Sequence, residues 1–248
     1  GAMESLIRSP ELRRKLGAAG AARVAEPVEG GWQVWLDERA VKTRGGAPQV
    51  VPTRALGELL RAEWAAAGEE FAPEDLPLRD LADRAIDTAR AAPEPIITRL
   101  LGFADGDTLC YRAEPDEAIA HRQAEVWEPI VGRIEADLGI QLTRTHGILH
   151  RPQPEQSLAA IRSRLETENP FALVGLDIAA SLAASLCIAL AGLDEDADPQ
   201  ALWGAANLEQ DWQAERWGFD EEALSRRNER EAEFTKALAF ARAARAKD

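Results

Sequence analysis

The chain has 248 residues, 46% of them hydrophobic and 29% charged, enough to build one or two domains with a real core. Its net charge of −14 would repel a phosphate backbone, and no basic stripe with interleaved aromatics offsets it, so nucleic acid is excluded as the expected partner. Two cysteines in apolar runs, Cys110 and Cys187, suit buried inert thiols in a reducing compartment.

In chain order, residues 4–23 read as a short helix, with Pro10 in a first turn. The arginines here are accompanied by Glu4 and Glu11, unlike an acid-poor transit peptide, and no secretory signal is visible. After Gly30-Gly31 the period changes to two: Trp32, Val34 and Leu36 alternate with Gln33, Trp35 and Asp37. A turn at Asp37-Glu38-Arg39, a return over 40–43, a second turn at Arg44–Pro48 and a third strand at Gln49–Val51 complete a small antiparallel meander. Thr53 is placed as an N-cap, and Leu56, Leu59, Leu60 and Trp64 mark one helical face before Gly68. Pro73 and Pro77 break the chain, giving a β-rich domain with flanking helices over 1–75 and a helical domain over 76–248. Helices are predicted at 78–91, 94–103, 115–138, 155–167, 170–192, 199–217 and 220–246, with a short extended piece at Thr108–Tyr111. The uncharged run Ile178–Leu193 falls short of the roughly 20 apolar residues of a membrane span and reads as a central buried helix. The fold class is α+β, a small antiparallel sheet followed by a larger all-α part.

Chemistry-bearing patterns are few. Asp80, Asp83 and Asp87 at i, i+3, i+7 could converge like the carboxylates of a helical Mg²⁺-dependent diphosphate enzyme, which is the rival reading. Arg79 and Arg84 flank them as simple ion-pair partners, and no second acidic helix accompanies them. His146 and His150 have zinc-compatible spacing, but Gly147 and Pro152 argue against a helix there. No nucleophile elbow and no glycine-rich phosphate loop occurs, so neither nucleophilic catalysis nor ATP-driven work is expected, and no cofactor. Charge is uneven: residues 194–222 hold ten acids against one base, Arg216, while 225–248 carry seven bases against four acids. Within the acidic stretch, Asn207–Gly218 (NLEQDWQAERWG) stacks Leu208 and Trp212 on one side, with Glu209, Gln213 and Arg216 along the neighbouring stripe. Apolar anchors beside a carboxylate–amide–guanidinium row suit protein contact. Nothing resembles a heptad seam, so a monomer is expected.

Six segments, in order, carry a resemblance: VKTRGGAPQVVPTRAL, AEW, LPLRDLADRAID, DTLCYRA, QAEVWEPI and NLEQDWQAERWG. Together they are similar to the assembly chaperones that handle the alpha subunit of the ATP synthase catalytic head, the Atp-twelve family. The resemblance implies a β-rich N-terminal domain on a larger helical one. It also implies binding of the free alpha subunit until the beta subunit displaces the chaperone, without ATP hydrolysis. The family's important acidic position carries over to Glu209, with Asp211 as the other candidate holder; Trp212, Gln213 and Trp217 match the same motif and are expected to set the helix in place. Asp83 and Arg84 depart from the uncharged pair usual there, and Arg44-Gly45-Gly46 is a looser version of the usual turn. The expected location is the bacterial cytoplasm, or the mitochondrial matrix in a eukaryote.

Overall fold

The structure, a computed structural model, describes residues 22–36, 39–67, 72, 75–147, 149–218 and 220–247. The helix expected over 4–23 lies outside them as far as residue 21, and Ala22-Arg23 belong to a strand. The turn residues Asp37-Glu38, and Gly68 and Pro73, also lie outside.

Four antiparallel strands form the N-terminal sheet: β1 (Ala22–Val28), β2 (Gly31–Leu36), β3 (Arg39–Ala40) and β4 (Val50–Val51). β2 is central, pairing with all three others. That position explains why Gln33 and Val34, on opposite faces, are both buried; Gln33 donates its amide to the Val41 carbonyl at 2.9 Å, satisfying a polar group on a covered face. Helix α1 (Arg54–Ala66) starts where Thr53 Oγ1 accepts the Leu56 amide, and buries Leu56, Leu60 and Trp64. A Cβ on Gly57 would meet the Ala25 Cβ at 2.7 Å, so only glycine lets α1 approach β1 this closely. Glu63 of α1 then caps the next helix, α2 (Pro77–Arg84), by accepting the Leu78 and Arg79 amides left orphaned by its first turn.

From α2 the chain continues through a π-helical turn, Ala85–Ala89. The three aspartates do converge, but onto the β-turn at 43–46. Asp87 accepts from the Thr43 hydroxyl and the Gly45 amide, Asp83 from the Arg44 amide and the Gln49 side chain, and Asp80 from the Arg44 guanidinium. Arg79, buried, pairs with Asp83. Among the described residues, no group of three or more His, Cys, Asp or Glu is arranged to hold a metal ion.

Later helices are α3 (Glu94–Asp105), α4 (Ala118–Leu138), α5 (Glu155–Glu166), α6 (Pro170–Ala183), α7 (Leu186–Ala191), α8 (Pro199–Ala206), α9 (Leu208–Trp217) and α10 (Glu221–Arg245). Strands β5 (Tyr111–Arg112) and β6 (Thr145–His146) pair in parallel. The chain divides into two compact units: residues up to Pro93 with Asn169–Val174 and Phe240–Asp248, and Glu94–Glu168 with Gly175–Ala239. The sequence-based division at 75/76 thus falls inside the first unit. In that unit Phe171 and Phe240 pack ring to ring at 6.4 Å, and the Thr53 hydroxyl donates to the Ala243 carbonyl.

Two predicted helices are broken in two. The span 170–192 stops at Ala183 because Ala184 takes a left-handed φ of 49°, and Ser185 then caps α7 by accepting the Ile188 amide. Uninterrupted apolar sequence hides such a break, although serine favours a cap over a helix interior and Ser185 is the local signal for it. The span 199–217 breaks at Asn207, whose φ of −106° and ψ of 14° end α8 and begin α9. No helix among the described residues is long and apolar enough to cross a membrane.

In the second unit the core is built around Trp127, whose indole donates to the Ala205 carbonyl, and Trp203, packed on Phe234 at 5.4 Å. Asp107 is wholly buried and accepts from the Leu109 and Cys187 amides, tying the start of α7 to the turn before β5. Burial pushes its carboxyl above the ordinary value. Both thiols are buried; burial, reinforced by the Asp107 charge, pushes Cys110 up to about 12 and Cys187 well above its ordinary value. These are inert thiols at neutral pH, as expected.

Candidate functional site

Helix α9 begins at Asn207 with only Leu208 fully buried, so one residue anchors it and the rest of its surface is held by polar contacts. Trp212 is half-buried and has two guanidinium groups near its ring, Arg216 at 4.5 Å from the centroid and Arg122 of α4 at 5.6 Å. Cations over an indole face are attracted by its quadrupole, and the Arg122 contact ties the helix to α4. Arg122 also makes a two-pronged pair with Glu215 at 2.8 and 3.1 Å, which holds that carboxyl below its ordinary value. Asp211 pairs with Arg227 of α10 at 2.7 Å. One sequence-predicted residue, Arg216, is therefore taken up by Trp212, and it makes no pair with Glu209.

Glu209 instead accepts from the Gln123 amide of α4 at 2.7 Å through one carboxylate oxygen. Its other oxygen has no partner among the described residues. Gln123 itself is fully buried and its own carbonyl oxygen accepts the Ala113 amide, so it is a fixed donor rather than a floating one. Gln213 is exposed, and Trp217 closes the helix with 79% of its surface exposed. The six residues singled out from the motif thus divide. Trp212, Asp211 and Arg216 hold the helix; Glu209, Gln213 and Trp217 face outward. The sequence concealed the holders on other helices: Arg122, Gln123 and Arg227 have no spacing relationship to α9.

Elsewhere His146 and His150, whose spacing suits zinc, are engaged separately. His146 bonds the Ala113 carbonyl at 2.9 Å, whereas His150 meets the Tyr111 hydroxyl at 2.6 Å and Asp105 at 3.3 Å. What α9 offers chemically is contact: an exposed indole, a carboxylate oxygen with room for a donor, and an amide, inside a strongly acidic segment.

Residues 20–135 match the family model described as ATP12 chaperone protein. The mitochondrial protein atp12 of Schizosaccharomyces pombe is 27% identical over 208 residues, spanning 79% of this chain and 72% of that protein. The crystal structure of Atp12 from Paracoccus denitrificans superposes with a TM-score of 0.83 at 32% identity, covering 91% of this chain and 99% of that one. A protein from Agrobacterium tumefaciens, titled as a candidate chaperone, superposes with the same TM-score at 35% identity, over 90% of this chain and 83% of that one. The chain belongs to the ATP12 chaperone family, and its fold is that of the family: a small N-terminal antiparallel sheet followed by helices.

Proposed function

We propose that this protein is an ATP-independent holding chaperone of ATP synthase assembly: it binds the free alpha subunit of the catalytic head and yields it to the beta subunit. Family membership supports the chaperone class. The observation that carries the binding reading is α9, which presents Trp217 and the unpartnered oxygen of Glu209 on a helix braced by Trp212, Asp211 and Arg216. An exposed aromatic and a half-used carboxylate on one helix are the composition of an interface anchor.

An orphaned subunit exposes the apolar surface that assembly will later bury. A folded partner that covers it stabilises it by mass action, about 2.7 kcal/mol when free chaperone is at 100 times its dissociation constant. Apolar contact supplies affinity, and charges such as Glu209 choose the partner. Release is competition by beta for the same surface, so the cycle needs no nucleotide, cofactor or bond chemistry. The chaperone acts as a monomer in the bacterial cytoplasm or the mitochondrial matrix. The Mg²⁺-enzyme reading loses its residues, because Asp80, Asp83 and Asp87 are committed to the turn at 43–46.

Co-expression with alpha and with beta separately tests this. Alpha should stay soluble only with the chaperone, and beta should be indifferent. Equal rescue of both, or of neither, refutes alpha specificity.

A further inference from the structure

A cavity of about 130 Å³ opens in the helical unit where the end of α6, the α8–α9 junction and α10 meet α4. Its buried wall is Trp127, and Glu209 and Gln210 stand on its exposed side. Three features gather there. The carboxylate of Glu209 has one oxygen without a partner. The Gln210 side-chain amide and the Asn207 side-chain oxygen Oδ1 also have none among the described residues; the Asn207 side chain spends only its NH₂ group, on the Trp203 carbonyl. The third is the end of α6, a helix of 14 residues whose last carbonyls carry a partial negative charge, roughly half an elementary charge.

The wall is also strained. Ala184 sits at φ 49°, a left-handed conformation that is unfavourable for a residue with a Cβ. Its carbonyl is pinned by both the Thr108 amide and the Thr108 hydroxyl. Backbone held in such a conformation beside an open cavity is characteristic of ligand clamps.

We propose that this cavity is a receiving pocket for one arginine side chain of the client polypeptide, with the guanidinium paired to Glu209; the identity of that client rests on the function proposed above, but the pocket does not. The free Glu209 oxygen, the Asn207 Oδ1 and the Gln210 Oε1 are all acceptors, as a guanidinium with five donors requires. The size fits as well: a cavity of about 150 Å³ accepts one benzene ring, and a guanidinium with its adjoining methylenes is comparable. The one cation already lining the pocket, Arg230, is drawn aside. It donates to the Leu182 carbonyl at 3.1 Å and lies over the Trp203 ring at 6.0 Å, which leaves Glu209 unneutralised.

The test uses the whole purified protein and a small probe, Nα-acetyl-arginine amide, against its neutral counterpart, Nα-acetyl-citrulline amide, followed by NMR. The arginine probe should shift the Trp127 indole and Gln210 side-chain signals saturably, with a dissociation constant of about millimolar for so small a ligand. Citrulline should not. Glu209→Gln should weaken arginine binding about tenfold, the loss typical of one charged hydrogen bond. Ala206→Leu, which fills the cavity and leaves every charge in place, should abolish it. Absence of a saturable shift, or equal response to citrulline, or full binding by either variant, overturns the proposal. If alpha is held but arginine is not, the pocket fails and the chaperone reading stands; if arginine is bound but alpha is not, the reverse holds.

Discussion

At Glu209 the carboxylate is half used, with one oxygen on Gln123 and one open. Glu209→Gln, which keeps an acceptor for the buried Gln123 amide and removes only the charge, should therefore weaken rescue of the alpha subunit in co-expression while leaving the melting temperature nearly unchanged, because near-isosteric surface changes stay within about 0.5 kcal/mol. A large drop in melting temperature would instead make the residue structural. Asp211 behaves oppositely. Its pair with Arg227 is about one quarter exposed, so Asp211→Asn should cost roughly 1 kcal/mol and about 2–4 °C in melting temperature. Trp217→Ala should barely move stability, as 79% of the side chain is already in water, yet should weaken client capture about tenfold or more in a pull-down titration. Spacing alone put Glu209, Gln213 and Arg216 on one stripe, and they do share one. What spacing could not show is that Arg216 turns to Trp212, since a cation within reach of both a carboxylate and an indole has no sequence-level preference.

Elements were legible where a hydrophobic period and a cap coincide. Thr53 and the Leu56, Leu60, Trp64 face define α1 outright, and structure and sequence agree there. They part where backbone conformation, rather than side-chain pattern, decides. Ala184 is invisible as a break because alanine is the best helix former, and only its tertiary fixing by Thr108 holds it at positive φ. Ala184→Gly should be neutral or stabilising and Ala184→Val destabilising, each read from the melting temperature; the reverse order would deny the strain. Arg144 is a second element-scale device, binding α4 to the segment after it through Glu128 at 2.7 Å and through Glu135. The Arg144 hydrogen bond holds Glu128 below its ordinary value. For Glu135 burial works upward, and Arg144 with the Leu142 amide outweighs it, so that carboxyl is lowered too. Carboxyls lowered on folding stabilise fully above the unfolded value of about 4.3, and the stabilisation is lost as pH falls through their depressed values. Arg144→Leu should therefore melt lower than the parent at about pH 7, with the gap closing toward about pH 3. A gap that persists unchanged at low pH would assign the loss to packing.

Over the whole molecule, a sheet followed by helices was readable from the change of period after Val51, and the family from six segments in register. The division into units was less so, because α6 and α10 each contribute residues to both, and no local sequence feature marks a helix that changes unit along its length. The aspartate face shows the same limit: three carboxylates in helical register specify a shared direction, and only the folded chain reveals that a turn 39 residues earlier, rather than an ion, fills it. Charge acts at this scale too. The ten acids of 194–222 are partly met by Arg122, Arg133, Arg226 and Arg227, and Glu209 on α9 keeps one oxygen open. The account as a whole turns on capture of unassembled alpha subunit. Diluting denatured alpha into buffer and following light scattering tests it directly: this protein at equal concentration should suppress the scattering without nucleotide, and added beta should release alpha into an alpha–beta assembly. Scattering that rises undiminished in its presence would contradict the account.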